Sequence, residues 1–129
     1  MRFDHIAIAC RDVERMRTWY EQVLGFRIVA RKTPSRPDAT GTTYLAGPEG
    51  SAITLELMPD DRTAPHARQV FNPGISHIAL RIDDLGEWEA RLSSLGVRWL
   101  GERVDAVGGG CIRSFLDPED NMLQIVQRM

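Results

Sequence analysis

The chain writes one pattern twice. Residues 3–9 read FDHIAIA and residues 76–82 read SHIALRI. In each copy a histidine, His5 or His77, opens an apolar run with period-two alternation. An aspartate follows, Asp12 or Asp84, and then a helix-like segment. Period-two alternation is the mark of a strand with unlike faces. The separation between the histidines equals that between the aspartates, and the helix ends Leu24-Gly25 and Leu95-Gly96 match one position closer. Two copies are too few for a solenoid, which needs about three. Two half-sheets that close on each other are the expected solution, because each then finds cover for a face.

The first copy reads β-α-β-β-β. Strands are expected at 3–9, 26–30, 42–46 and 52–58, with a helix over 12–24. Asp12 suits the N-cap, Gly25 suits the residue after the helix, and Val13, Met16, Trp19, Tyr20, Val23 and Leu24 form one apolar stripe. The prolines and polar residues of 31–41 predict a loop or irregular strand end, and Gly47-Pro48-Glu49-Gly50 predicts a turn. Residues 59–74 read as a linker, with a short helix near 64–71. The pattern then restarts. Strands are expected at 75–82, 97–100, 111–116 and 122–127, with a helix from Asp83 or Asp84 to Gly96. Gly108-Gly109-Gly110 suggests a flexible loop near the site, and 117–121 a turn. One domain is expected over 1–129, built of module 1 (1–58), the linker (59–74) and module 2 (75–129).

Composition excludes several classes. Sixteen Lys and Arg against eighteen Asp and Glu leave a formal charge of −2 with no basic block, so neither nucleic acid nor an anionic membrane is an expected partner. Cys10 and Cys111 are too few for a disulfide scaffold and have no zinc-knuckle spacing. The first residues lack a signal-peptide core, and no apolar run approaches the roughly 18 residues of a membrane span. A cytoplasmic protein is the expectation.

Aligning the copies places four polar residues at equivalent positions: His5 and His77 on the first strands, Glu56 and Gln124 on the fourth. A polar side chain facing a cavity needs a partner, since burying it alone costs about 1–3 kcal/mol. A divalent metal would satisfy all four, and imidazole with carboxylate suits zinc, nickel, iron, manganese or cobalt. The plainer reading stays open: strand-opening histidines are often structural, and Glu56 between Leu55 and Leu57 could be the wet face of a half-exposed strand. His66 has no repeat partner and reads as a surface residue.

Three stretches, FDHIAIACRDVERMRTWYEQVLGF, ISHIALRIDDLGEWEARLSSLGV and FLDPEDNMLQIV, together resemble the vicinal oxygen chelate superfamily. That group includes glyoxalase I, extradiol dioxygenases and bleomycin-resistance proteins. The resemblance covers almost the whole chain. It implies an α+β fold of two βαβββ modules forming a curved, cup-like mixed β-sheet barrel with helices outside. It also implies one divalent metal held by His5, Glu56, His77 and Gln124, and a homodimer. The glyoxalase I pattern has a glutamate where this chain has Gln124, and an amide has no basic group near neutral pH. The catalytic base would therefore be Glu56.

The function so implied is a glyoxalase-like, metal-dependent isomerase or lyase. It would act on a small α-oxygenated carbonyl substrate through a metal-stabilised enediolate. Two alternatives stand beside it. His5, His77 and Glu56 form the two-histidine, one-carboxylate set of non-haem iron, as in an extradiol dioxygenase. A non-enzymatic protein that sequesters a small molecule such as a drug is the other.

Overall fold

The computed structural model describes residues 1–33, 41–64, 69 and 71–129. His66, and most of the segment expected as a short helix near 64–71, lie outside the described residues. The chain divides into two compact units, Met1–Pro65 and His66–Met129. Each builds its own sheet and carries its own helix.

The first unit runs β1 (His5–Cys10), α1 (Val13–Leu24), β2 (Arg27–Lys32), β3 (Thr43–Gly47) and β4 (Thr54–Pro59). Asp12 caps α1 by accepting the Arg15 N–H at 3.0 Å. Gly25 ends it in the left-handed region, φ 71°, with its N–H returned to Glu21. The α1 stripe of Met16, Tyr20, Val23 and Leu24 is buried along with Tyr44, Leu55 and Leu57 of the sheet. Strand order is β1-β4-β3-β2, with β1 and β4 parallel and the other pairs antiparallel. Pairing Ile6 with Leu55 and Ile8 with Leu57 puts the apolar residues on one face. The opposite face carries His5, Ala7, Ala9, Thr54, Glu56 and Met58.

The second unit runs β5 (His77–Arg81), α2 (Leu85–Ser94), β6 (Arg98–Trp99), β7 (Val104–Asp105), β8 (Cys111–Leu116) and β9 (Met122–Gln127). Asp84 caps α2 through the Glu87 N–H at 2.8 Å. The Leu85 N–H, another free donor of that helix end, reaches the Gln127 side-chain carbonyl at 2.7 Å and ties α2 to β9. Leu85, Leu92, Phe115, Leu123 and Ile125 form the core. The expected turn before β9 is organised by Asp117, only 1 % exposed, whose carboxylate accepts from the Glu119 and Asn121 backbone and from the Asn121 amide.

The architecture is the α+β one expected, with two mixed sheets of four and five strands, neither of them a closed barrel. Two details are added by the structure. β2 extends through Arg31 and Lys32, into the stretch expected as a loop or irregular strand end, because both pair with β3. A short β7 pairs with β8. The glycine run is the tight turn that joins them, with the Ala106 N–H donating to the Gly110 carbonyl and the Arg128 guanidinium donating to the carbonyls of Val107 and Gly109.

Gly110 has φ 92°, and a Cβ there would lie 2.0 Å from the Gln127 carbonyl oxygen. Gly50 has φ 78° with nothing near its missing Cβ. Gly50→Ala should therefore cost about 1–2 kcal/mol from backbone strain alone. Gly110→Ala should cost roughly 3 kcal/mol or more, because the β7–β8 turn must move off β9. Denaturant unfolding of both variants checks this, and equal costs would show that the turn is not packed as described.

Candidate metal centre

Parallel pairing of β1 with β4 sets Ala7 opposite Glu56, with His5 one step diagonally away on the same face. The small Ala7 leaves room for the longer side chain. As a result His5 Nε2 lies 3.1 Å from Glu56 Oε2. The second unit repeats the register: β5 and β9 are parallel and Ala79 stands opposite Gln124. His77, Ala79 and Gln124 share a face there, as His5, Ala7 and Glu56 do in the first unit.

The other ring nitrogen is held in both copies by the preceding residue. Asp4 Oδ2 lies 2.8 Å from His5 Nδ1, and Ser76 Oγ lies 2.9 Å from His77 Nδ1. In a metal site such a partner fixes the ring and leaves Nε2 to face the ion. Sequence reasoning passed over Asp4 and Ser76. The only signal was their position immediately before each histidine.

His5 faces two carboxylates, Asp4 on Nδ1 and Glu56 on Nε2. Ionised carboxylates only accept hydrogen bonds, so both contacts are satisfied when both ring nitrogens carry protons. The His5 pKa is accordingly raised above its ordinary 6.5, chiefly by the Asp4 hydrogen bond; burial works against the shift, and Glu56 adds to it. A divalent cation would take the place of the Nε2 proton between the same two side chains.

Gln124 is 8 % exposed, and its Nε2 donates to Ser114 Oγ at 3.2 Å, across the β8–β9 ladder. That bond uses the nitrogen end of the amide and leaves the oxygen end, the one able to ligate a cation, for other partners. Ser114 is a further residue missed from sequence, since strand pairing alone brings it to Gln124. His5 and Glu56 border a cavity of about 480 Å³ in the first unit, with Leu45 and Met58 among its apolar walls. Among the described residues no group of three or more His, Cys, Asp and Glu side chains is positioned to hold a metal ion. The donors occur as one pair on each unit's sheet. Cys10 is buried and Cys111 half-buried, and neither is in a disulfide.

A raised histidine pKa has a definite sign in linkage. The stabilising contact is fully present below the unfolded value of about 6.5 and is lost as pH rises through the higher folded value. In protein stripped of divalent ions with a chelator, His5 should therefore titrate above 6.5 when followed by NMR. Asp4→Asn should bring it down further than Glu56→Gln does, and the reverse ranking would contradict the assignment of Asp4 as the main cause.

Residues 2–125 match the family model for the Glyoxalase/Bleomycin resistance protein/Dioxygenase superfamily. The chain is 28% identical over 123 residues to Glyoxylase I 4 of Arabidopsis thaliana, covering 95% of this chain and 68% of that protein. Among solved structures it superposes on a glyoxalase family protein from Enterococcus faecalis with a TM-score of 0.79 at 22% identity, covering 97% of this chain and 96% of that one. It also superposes on TnmS3, an antibiotic binding protein from Streptomyces sp. CB03234, with a TM-score of 0.75 at 23% identity, covering 100% and 97%. These two likenesses establish the shared fold. Since the family model runs through both histidine strands and into the last strand of the second sheet, the chain belongs to the Glyoxalase/Bleomycin resistance protein/Dioxygenase superfamily.

Proposed function

We propose that this protein is a divalent-metal-dependent isomerase or lyase of the glyoxalase kind, acting on a small α-oxygenated carbonyl compound. The candidate ligands are His5 with Glu56 in the first unit and His77 with Gln124 in the second. The observation that carries the reading is the shared arrangement of the two histidines. Each has Nδ1 engaged by the residue before it, and each lies on the same sheet face as a ligand-type side chain from the parallel last strand of its unit. That is the disposition expected of ligands, and a solvated surface histidine has no need of it. Zinc, nickel, iron, manganese and cobalt all suit this donor set.

When bound, the ion supplies Lewis acidity toward the two neighbouring oxygens of such a substrate. The chain's own residues do the rest. Glu56 would take the proton from the hydroxyl-bearing carbon beside the carbonyl and return it to the former carbonyl carbon, while the hydroxyl proton passes to the other oxygen. Its Oε2 lies 3.1 Å from His5 Nε2, and both residues border the cavity. Asp4 holds the His5 ring in orientation during the transfer. Gln124 binds without exchanging protons, so acid and base duties fall on a single carboxylate. The same reading carries a homodimer and a cytoplasmic location. Among the described residues no helix is long and apolar enough to cross a membrane.

The likeness to an antibiotic binding protein, together with an amide at Gln124, favours a second reading: a cup that sequesters a small molecule without turnover. Elemental analysis of the purified protein separates the two. The enzyme reading expects stoichiometric transition metal, and none would favour the binder. Exchange of the α-proton of small hydroxyketones and hemithioacetals in heavy water then tests the base. Glu56→Gln should slow exchange by about 100-fold or more while much of the metal stays bound. An unchanged exchange rate would remove Glu56 from the base role.

A further inference from the structure

We infer that the ligand of this cavity carries an anionic group, carboxylate or phosphate, held by Lys32, two strands and roughly 10 Å from Glu56, with Thr43 on the strand between them. This rests on the enzyme reading for the identity of the other end of the ligand, though not for the anion subsite itself.

Three observations converge. The β2–β3 ladder carries an irregularity between Ile28 and Ala30. Arg27 pairs with Gly47 and Ile28 with Ala46, and beyond the irregularity Ala30 pairs with Leu45 and Lys32 with Thr43. Without the extra residue, Arg31 would stand opposite Thr43, and Lys32 would turn to the other side of the sheet. The bulge therefore aims Lys32 onto the face that bears Leu45 and, through the pairing of Leu45 with Glu56, the candidate centre.

Thr43 then lies directly beside Lys32, and its hydroxyl oxygen is buried with no hydrogen-bond partner, the single such side-chain atom among the described residues. A buried hydroxyl left unpaired costs free energy, which a ligand acceptor would recover. Lys32 itself makes no ion pair among the described residues.

Both residues line the cavity that His5 and Glu56 border. Its wall between the two ends is apolar, Ala30 and Leu45. The negative charges at the centre, Asp4 and Glu56, lie at one end, and Lys32 lies at the other with Arg31 beside it in sequence. A matching ligand has an oxygen-rich head, a short apolar middle and an anionic tail. An inward lysine on an edge strand also guards against edge-to-edge pairing, but that role does not require an unpaired hydroxyl beside it.

The test uses the whole protein and two sets of probes. In zinc-loaded protein, calorimetry compares suberate monohydroxamate with octanohydroxamate, which share a chelating head and differ in tail charge. The anionic probe should bind at least tenfold more tightly. Lys32→Met should bring that ratio close to one, and Thr43→Val should reduce it several-fold, while octanohydroxamate affinity stays within twofold in both. Equal affinities in the unmodified protein, or a preference that survives Lys32→Met, would overturn the inference and leave Lys32 as an edge-strand charge.

In chelator-treated protein, NMR titration compares hexanoate and hexyl phosphate with hexanamide. Shifts at the Thr43 amide with either anion, absent with hexanamide and absent in Lys32→Met, support the subsite even if zinc does not bind and the enzyme reading fails. Indistinguishable responses to anions and amide overturn it. The stronger of the two anions identifies the tail chemistry.

Discussion

Parallel pairing between the first and last strand of each unit is the constraint from which the rest follows. It sets Ala7 opposite Glu56 and Ala79 opposite Gln124, and it carries each histidine onto the same face. A slip of one residue would turn the polar set into the helix-packed face, where Leu55, Leu57, Leu123 and Ile125 lie almost wholly buried. The apolar residues that bind each helix to its sheet thus also hold the register of the candidate ligands. Core packing and site geometry are two faces of one ladder.

The pseudo-repeat is faithful in backbone and unequal in chemistry. Both units cap their helix with an aspartate and open their first strand with a histidine whose Nδ1 is engaged. The first unit pairs that histidine with a carboxylate that can accept a proton. The second offers an amide anchored on Ser114. Electrostatics follow the same division. His5 lies between two carboxylates, which raise its pKa, and the first unit's cavity runs from that acidic end toward Lys32. In the proposed function the first unit therefore supplies the side chain able to exchange a proton, and the second an amide that does not titrate.

Much of the fold was legible because its signals are local. Asp12 and Asp84 as caps, Gly25 as a left-handed terminator, and the alternation through 111–116 and 122–127 are read from neighbouring residues, and the structure places elements there. β7 was not legible, since two residues carry too little periodicity and gain strand character only by pairing with β8. The glycine run shows the same limit. Its composition suggests a mobile loop, while Gly110 packs against the Gln127 carbonyl as the close of a hairpin.

The sequence by itself determined the repeat, the two strand-opening histidines and the alternation that puts Glu56 and Gln124 on the polar side of their strands. Those properties depend on spacing along the chain, and spacing is what a sequence records. Tertiary structure alone decided the partners. Ser114 meets Gln124, His5 meets Glu56, and Lys32 faces the cavity because a single bulge shifts the β2–β3 register. Cross-strand neighbours are set by ladder register, which is a sum of contacts between distant segments and leaves no mark in the period of either one.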